Sequence, residues 1–568
     1  MFPDFMGLVP TSGENGTYLR TGGQSIKPFV DLKRAERGLQ FWAQDKAAAG
    51  QELVPGAFFS TTPMVGQYYD LGGLNGGFSL YRKKWGWDGD NAWNNGQSVW
   101  AKRDEITSKL RLMWAAKTDI KPGATWESAE FVLTPHMGGW ARGIEPYRNW
   151  VRSNIAQRKY PMPTHVKEGL GFRTIWMSTG AYPNDPSKAT FTIWKFKDMP
   201  KLAKEAKEHG LTEMVLWMWN QGLQLPITPP FPQLGTEQDL SDAIAECKKI
   251  GVNVNLFISL YSLANPSAPR YEVKVPEEGG WTYDPELIPA FNPYYAHGLN
   301  TGGADLKSPK WRKDVYTSCR ELIDKYTPSI GWDQWADYSA DSGIYKITDE
   351  IRAMAKEKDP ESTFCGESFS SIEMESQYLD YFWSWGYYGM FGDMQAFTST
   401  FTAPRLNPNI DISSADAKYC FMDNLYMNVM PRREGSTNGS AYIVEYPELS
   451  KALKRCAALR KQFLPYFLNG ELVGYCFLAQ DCPEAHFNAY ILPGRILIIA
   501  LKEEKAGALK MNIDLGPWLK SNSGSYAVKT YSEDGKVVSE SVLTGSKGTI
   551  NSTKLSKNEL AIFEITSK

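Results

Sequence analysis

The sequence predicts a multidomain α/β and all-β protein, with a central TIM-type (β/α)8 barrel between an N-terminal β-sandwich and a small C-terminal all-β domain. Three observations predict it. Between residues 161 and 470 short apolar runs alternate with amphipathic helical stretches, the pattern of a parallel sheet with helical cover. Residues 1–160 and 471–568 instead carry period-two runs bounded by Gly and Pro turn signals, the pattern of antiparallel sheets. And 568 residues are too many for a single hydrophobic core.

Taken in order, the N-terminal part shows alternating runs at 78–81, 110–114 and 129–133, and it opens on turn-rich sequence that reads as truncated. The barrel pattern starts after the Pro-rich linker 160–167. Its first strand is expected at 172–177, followed by a helix at 199–209 closed by Gly210. A strand at 213–219, a helix at 237–250 closed by Gly251 and a strand at 252–260 follow. A long insertion, 261–308, precedes a helix at 310–326; a loop of that length at a barrel mouth belongs to binding sites more often than to decoration. The fourth strand ends in Trp332-Asp333-Gln334, a helix spans 342–356, and the fifth strand, 362–365, runs into Gly366-Glu367-Ser368. A sixth strand is expected at 381–385 and a seventh within 419–430, with the eighth left unassigned. A strongly amphipathic helix, 446–467, stops at Gly470, and alternating strands fill the remainder.

Composition narrows the partners. Lys plus Arg is 62 against 64 for Asp plus Glu, so no net field draws nucleic acid or an anionic membrane, and neutral partners are expected. No apolar run approaches the ~18 residues of a membrane span. The seven cysteines form no CxxC or Cys/His ligand spacing, which argues against a zinc site or a disulfide scaffold; no cofactor is expected, and Cys476 and Cys482 read as two thiols or as one bridge. No secretory leader opens the chain, which places it in the cytoplasm if Met1 is the true start and outside if a leader has been removed.

The chemistry is concentrated in 328–369. Asp333 and Glu367 end successive strands of a strand-helix-strand unit, and in a parallel barrel such ends are neighbours at one mouth. Gly331 lies behind Asp333, and Thr363 and Cys365 lie behind Glu367, so small residues leave room for a ligand. Two carboxylates across a sugar are the minimal apparatus for cleaving a glycosidic bond, and the charge of one raises the proton affinity of the other. The competing reading is that both are solvated or ion-paired loop acids. Trp176, Trp219, Asn220, Tyr261, Trp335, Trp383 and Trp385 are candidates for the walls of the sugar site, and His297, Asp337, Asp423 and Arg432 for holding hydroxyls. For each of these, core packing or solvation competes. The partner expected is an oligosaccharide or glycan.

Gly-Trp-Asp ending the fourth strand and Gly-Glu-Ser after the fifth, in the order sandwich, barrel, small β-domain, resemble the retaining glycoside hydrolases related to the endo-α-N-acetylgalactosaminidases. The resemblance implies Asp333 as nucleophile, Glu367 as acid/base, and galactose or N-acetylgalactosamine, α-linked, at the cleaved position. The α-amylase superfamily uses the same two strand ends, but its pattern has Arg where this chain has Gly331 and a His-Asp pair where it has Met422-Asp423. The α-galactosidase-like families share the fourth-strand Asp and take their acid from the sixth strand, which would be Asp380 or Asp393. A reading outside enzymes is a carbohydrate-binding protein on a retired hydrolase barrel.

Overall fold

In the computed structural model the described residues are the strand backbones between 5 and 136, and the chain from 140 onward without 155–157, 179–191, 221–229, 260–261, 264–301, 304–308, 334, 336–343, 368–377, 384–397, 402–404, 408, 411–412, 520–523 and the single positions 435, 437, 481 and 504. At some of these positions the backbone alone is described.

The centre is a mixed α/β unit built on a curled parallel sheet. Its strands run Gly171–Trp176, Leu211–Trp217, Asn253–Ser259, Ile330–Asp333, Phe364–Glu367 and Tyr381–Trp383 in both chain and spatial order, and Met427–Val429 lies against the far side of the first. Two short segments extend the edges: Arg405–Asn407 pairs with the sixth strand, and Asn409–Ile410 pairs with Met427–Val429. They sit at opposite edges of the sheet, yet only Pro408 separates them in the chain. The curl therefore brings both edges to the same stretch of backbone.

Strands buried on both faces read as near-continuous apolar runs, and Leu211–Trp217 is one. Alternate residues go to two cores. Phe172, Val215, Trp217, Phe257, Cys365, Tyr381, Trp383 and Tyr426 cluster inside the curl. Ile175, Met214, Leu216, Leu256, Ile330, Trp332, Phe364 and Phe382 face outward into the larger core with the helices. Those helices are Met199–Glu208, Glu237–Ile250, Pro309–Lys325 and Ile344–Lys358. The second starts at a reciprocal cap, in which Thr236 accepts from the Asp239 amide while the Asp239 carboxylate accepts from the Thr236 amide at 2.7 Å. It stops at Gly251, whose φ is +92°.

One element differs in kind from the expectation. The stretch 419–430, expected to hold a strand and its loop, holds the end of a helix, Ser414–Met422, before the strand Met427–Val429. Ser413 caps that helix by accepting from the Asp416 amide at 3.1 Å. The run Tyr419-Cys420-Phe421-Met422 is continuously apolar, which fits a buried helix and a buried strand equally well. The expected long helix 446–467 is two, Pro447–Gln462 and Leu464–Asn469, divided where Pro465 cannot continue the first.

Antiparallel sheets lie on either side in sequence. At the N-terminal end there are two four-stranded sheets, one containing Leu39–Lys46 and Lys109–Ala116 and the other Gly77–Arg82 and Phe131–His136; the packing that would make them a sandwich lies outside the described residues. At the C-terminal end there is a six-stranded sheet centred on Arg495–Lys502 and Leu560–Ser567, plus the pair Gly507–Asp514 with Lys547–Leu555. Cys476 and Cys482 are both thiols. Among the described residues no helix is long and apolar enough to cross a membrane.

Two helix-closing glycines make a matched test of the packing. Gly210, at φ +76°, leaves only 2.4 Å between an added Cβ and the Cβ of Ala457, whereas Gly251 would meet only the flexible end of Lys207 at 3.4 Å. Gly251→Ala is expected to cost about 1 kcal/mol from the left-handed backbone alone. Gly210→Ala is expected to cost at least about 1 kcal/mol more, because the helix Pro447–Gln462 must shift. Urea unfolding of the two variants beside the parent measures the difference.

Candidate active site

The fourth and fifth strands pair in parallel through Ile330 with Phe364, Gly331 with Cys365 and Trp332 with Gly366. The pairing ends there; continued by one position, the same register would set Asp333 beside Glu367. On their outer sides Asp333 faces Ser259 of the third strand, and Glu367 faces Trp383 of the sixth. Cys365 belongs to the interior cluster, so Glu367, two residues on, shares the inward face. Asp333 is half-buried and Glu367 is 5% exposed. Both occupy the last strand position, at the C-terminal end of the sheet.

Behind Asp333 the packing is tight. A Cβ on Gly331 would lie 2.8 Å from Asn255 Oδ1, 2.8 Å from the Phe257 ring and 3.0 Å from Cys365 Sγ. The missing side chain is what lets those three groups meet under the fourth strand.

The aromatic wall differs in part from the expected one. Trp176 stacks on Trp217 with centroids 5.5 Å apart and planes 9° from parallel, and Trp217 stacks on Phe257 at 3.8 Å and 17°. Trp383 meets Phe257 edge-on at 4.8 Å and is fully buried in the interior floor. Trp219 does not join them. It is buried in the outer core with its indole donating to the Phe257 carbonyl at 3.2 Å, because Met218, at φ +50°, breaks the two-residue alternation. Trp335 is also in the outer core, where its indole donates to Thr348 Oγ1 at 2.9 Å. Asn220 is buried and bridges to Pro230.

Asp423 belongs to the opposite end. It caps the helix Ser414–Met422 just before Met427–Val429 begins, and its carboxylate accepts from Asn488 Nδ2 at 2.7 Å. Arg432 is exposed shortly beyond the C-terminal end of that strand, and its carbonyl accepts from the Tyr446 hydroxyl. Tyr261, His297, Asp337 and Trp385 lie outside the described residues.

Asp380 is not placed to act as an acid. It precedes the sixth strand, at the N-terminal end of the sheet, and is fully buried. Its carboxylate accepts from Arg158 at 2.6 Å, Arg352 at 2.9 Å and the Phe364 amide at 2.9 Å. Burial alone would raise its proton affinity, but the guanidinium groups of Arg352 and Arg158 outweigh it and hold the carboxyl below the ordinary range. Asp393 lies outside the described residues.

A second polar cluster lies inside the curl and was not anticipated. Glu213 Oε2 accepts from Thr363 Oγ1 at 2.6 Å and Asn253 Nδ2 at 2.8 Å, and stands 2.9 Å from His165 Nε2. Its other oxygen accepts from the Tyr381 hydroxyl. Burial pushes that phenol well above its usual range, as do Cys365 and Glu213 beside it, so Tyr381 stays protonated and donates. Glu213 and Asn253 stand at the beginnings of their strands, Thr363 precedes the fifth, and Tyr381 opens the sixth. The helix Thr164–Glu168, which carries His165, covers this end. The cluster therefore closes the face opposite Asp333 and Glu367. Its signal in the sequence was a single Glu inside the apolar run Leu211–Trp217, since an unpaired carboxylate is rarely buried.

No family model matches the sequence, and no curated protein matches it. Solved structures do. The α-amylase of Geobacillus thermoleovorans complexed with acarbose is 12% identical over 71% of this chain and 99% of its own, with a TM-score of 0.50. The GH36 α-galactosidase AgaA of Geobacillus stearothermophilus is 12% identical over 94% of this chain and 77% of its own, with a TM-score of 0.56. AgaB, a GH36 α-galactosidase of the same organism, is 11% identical over the same shares, with a TM-score of 0.52. At these identities the likeness is one of fold. The chain shares the fold seen in α-amylases and α-galactosidases, a broader likeness than the endo-α-N-acetylgalactosaminidase families expected from the sequence.

The position of Glu213 makes it a structural acceptor. Glu213→Ala would remove an acceptor shared by Asn253 and the fully buried Thr363 and Tyr381, and a loss of about 3 kcal/mol or more in urea unfolding is expected. Activity per folded molecule is expected to stay within about threefold of the parent, since the strand-start end of such sheets serves stability.

Proposed function

We propose that this chain is a retaining glycoside hydrolase acting on an α-linked sugar, of the α-galactosidase or α-amylase kind. Ionised Asp333 attacks the anomeric carbon while Glu367 protonates the departing oxygen; Glu367 then takes a proton from water as it releases the sugar with its configuration retained. The observation that supports this reading is the parallel register of the fourth and fifth strands, which, continued by one position, would bring the two residues side by side on one inward face. Neighbouring strands lie about 4.8 Å apart, which suits the roughly 5–5.5 Å between carboxyls in retaining enzymes better than the roughly 6.5–9.5 Å of inverting ones. The α-linkage comes from the α-amylases and α-galactosidases that share the fold.

The same reading takes the curled sheet as a closed eight-stranded barrel preceded by a β-sandwich. Extending the register from Phe172 through Glu213 and Asn253 leads to position 327 of the fourth strand. Extending it the other way, through Asn428, Asn409 and the sixth and fifth strands, leads to position 335. An offset of eight residues is the shear of a (β/α)8 barrel in which 405–410 is one strand interrupted by Pro408.

A second reading differs only in the acid. The α-galactosidases match over 94% of this chain, against 71% for the α-amylase, and an α-galactosidase-like arrangement would take the acid from the sixth strand, leaving Asp393.

Hydrolysis of α-galactosides, α-glucosides and α-N-acetylgalactosaminides, as aryl glycosides and as natural oligosaccharides, tests both. Asp333→Asn is expected to lose activity on every substrate the parent cleaves. Glu367→Gln is expected to lose about 10²–10⁴-fold on natural oligosaccharides, while an aryl glycoside with a good leaving group keeps its first step. Near-full activity of Glu367→Gln on a natural oligosaccharide, with loss in Asp393→Asn, moves the acid to the sixth strand. No cleavage by the parent, together with saturable glycan binding, leaves a carbohydrate-binding protein.

A further inference from the structure

Met218 is a bulky residue with φ +50°, a left-handed conformation that side chains other than Gly, Asn and Asp seldom adopt. It sits one residue past the C-terminal end of the second strand, at the end of the sheet that carries Asp333 and Glu367. Such strain persists only where surrounding contacts over-determine it. The contact here is Ser178, fully buried after the first strand, whose hydroxyl donates to the Met218 carbonyl at 2.9 Å. The adjoining Met177 amide donates to the Trp217 carbonyl at 2.9 Å, so both carbonyls around the kink are held from the first strand.

The kink separates two tryptophans that ordinary alternation would place on one face. Trp217 stays inside, between Phe257 and Trp176, and Trp219 turns into the outer core. Trp176 is the half-buried end member of this parallel stack, at the last position of the first strand. A flat stack with one accessible ring suits the apolar C–H face of a neutral sugar.

We propose that Ser178 and Met218 are positioning residues that hold Trp217, and through it Trp176, as the stacking platform for a neutral sugar ring in the site of Asp333 and Glu367. The inference rests on the reading that this mouth takes a sugar. The left-handed backbone, not the methionine side chain, does the positioning. Met218→Gly and Met218→Asn therefore keep the platform, since both residues accept this conformation, while Met218→Val and the near-isosteric Ser178→Ala loosen it.

The test is KM and kcat for an aryl α-glycoside that the parent cleaves, beside circular dichroism to establish that each variant is folded. Met218→Val and Ser178→Ala are expected to raise KM about fivefold or more with kcat within about twofold, and Met218→Gly and Met218→Asn to keep KM within about twofold. Unchanged KM in folded Met218→Val and Ser178→Ala overturns the proposal. So does a KM in Met218→Gly as high as in Met218→Val, which would give the role to the side chain. If the parent cleaves nothing, the hydrolase reading fails, and the platform is read instead from tryptophan fluorescence titrated with methyl α-galactoside and methyl α-glucoside. Binding that is weakened in the same two variants supports it, and no binding to the parent overturns it.

Discussion

The parity of a parallel ladder is the constraint on which the rest of this structure depends. Side chains alternate strictly along a strand, and partners across a parallel pair point the same way. Once Gly331 is opposite Cys365 and Cys365 lies in the interior, Asp333 and Glu367 follow at the end of the same inward row. A slip of one residue in either strand would send Trp332 or Phe364 inside and one of the carboxylates into the apolar layer beneath the helices. The burial of Ile330, Trp332 and Phe364 in that layer opposes the slip through the hydrophobic effect. Non-specific packing thus fixes the position of two carboxylates at the strand ends.

The polar groups of the interior are sorted by height. At the strand beginnings, Glu213 has its oxygens occupied by Thr363, Asn253 and Tyr381, with His165 of the covering helix beside them. A buried carboxylate is tolerable when it is satisfied in this way. Similar stitching holds the helices. Arg173 on the outer face of the first strand pairs with Glu205 of the helix Met199–Glu208 and donates to the Ala441 carbonyl at 2.6 Å. Burial lowers the proton affinity of that guanidinium, and Glu205 works against the fall. Arg460 donates to the carbonyls of Glu168 at 2.9 Å and Lys167 at 2.7 Å, tying the helix Pro447–Gln462 to the one that covers the strand beginnings.

Much of this was legible in the sequence where local chemistry and tertiary context agree. The helix Glu237–Ile250 has the bounds its cap and closing glycine dictate, and the first six strands fall within a few residues of their apolar runs. Reading failed where two physical solutions share one pattern. The apolar run before Asp423 suits a helix as well as a strand, and the short strands either side of Pro408 went unassigned because proline lacks the amide a ladder uses. Trp219 and Trp335 were expected at the site because both lie at predicted strand ends. Trp219 lies beyond the left-handed Met218, and Trp335 lies two residues past the end of the fourth strand, where parity no longer binds. The Glu213 cluster left one local sign, a carboxylate inside an apolar run, because its members are far apart in the chain and meet only when the sheet curls.

The separation of Glu213 from Asp333 and Glu367 also bears on how this scaffold can change. The groups that anchor the interior crowd the strand beginnings, and the carboxylates stand at the strand ends, from which the loops leave. Loop exchange or insertion at the strand ends would leave the satisfied network at the other end intact, so new specificities can be sampled with little penalty in foldability. The fold is in this sense modular along its own axis, a chassis at one end and interchangeable tooling at the other.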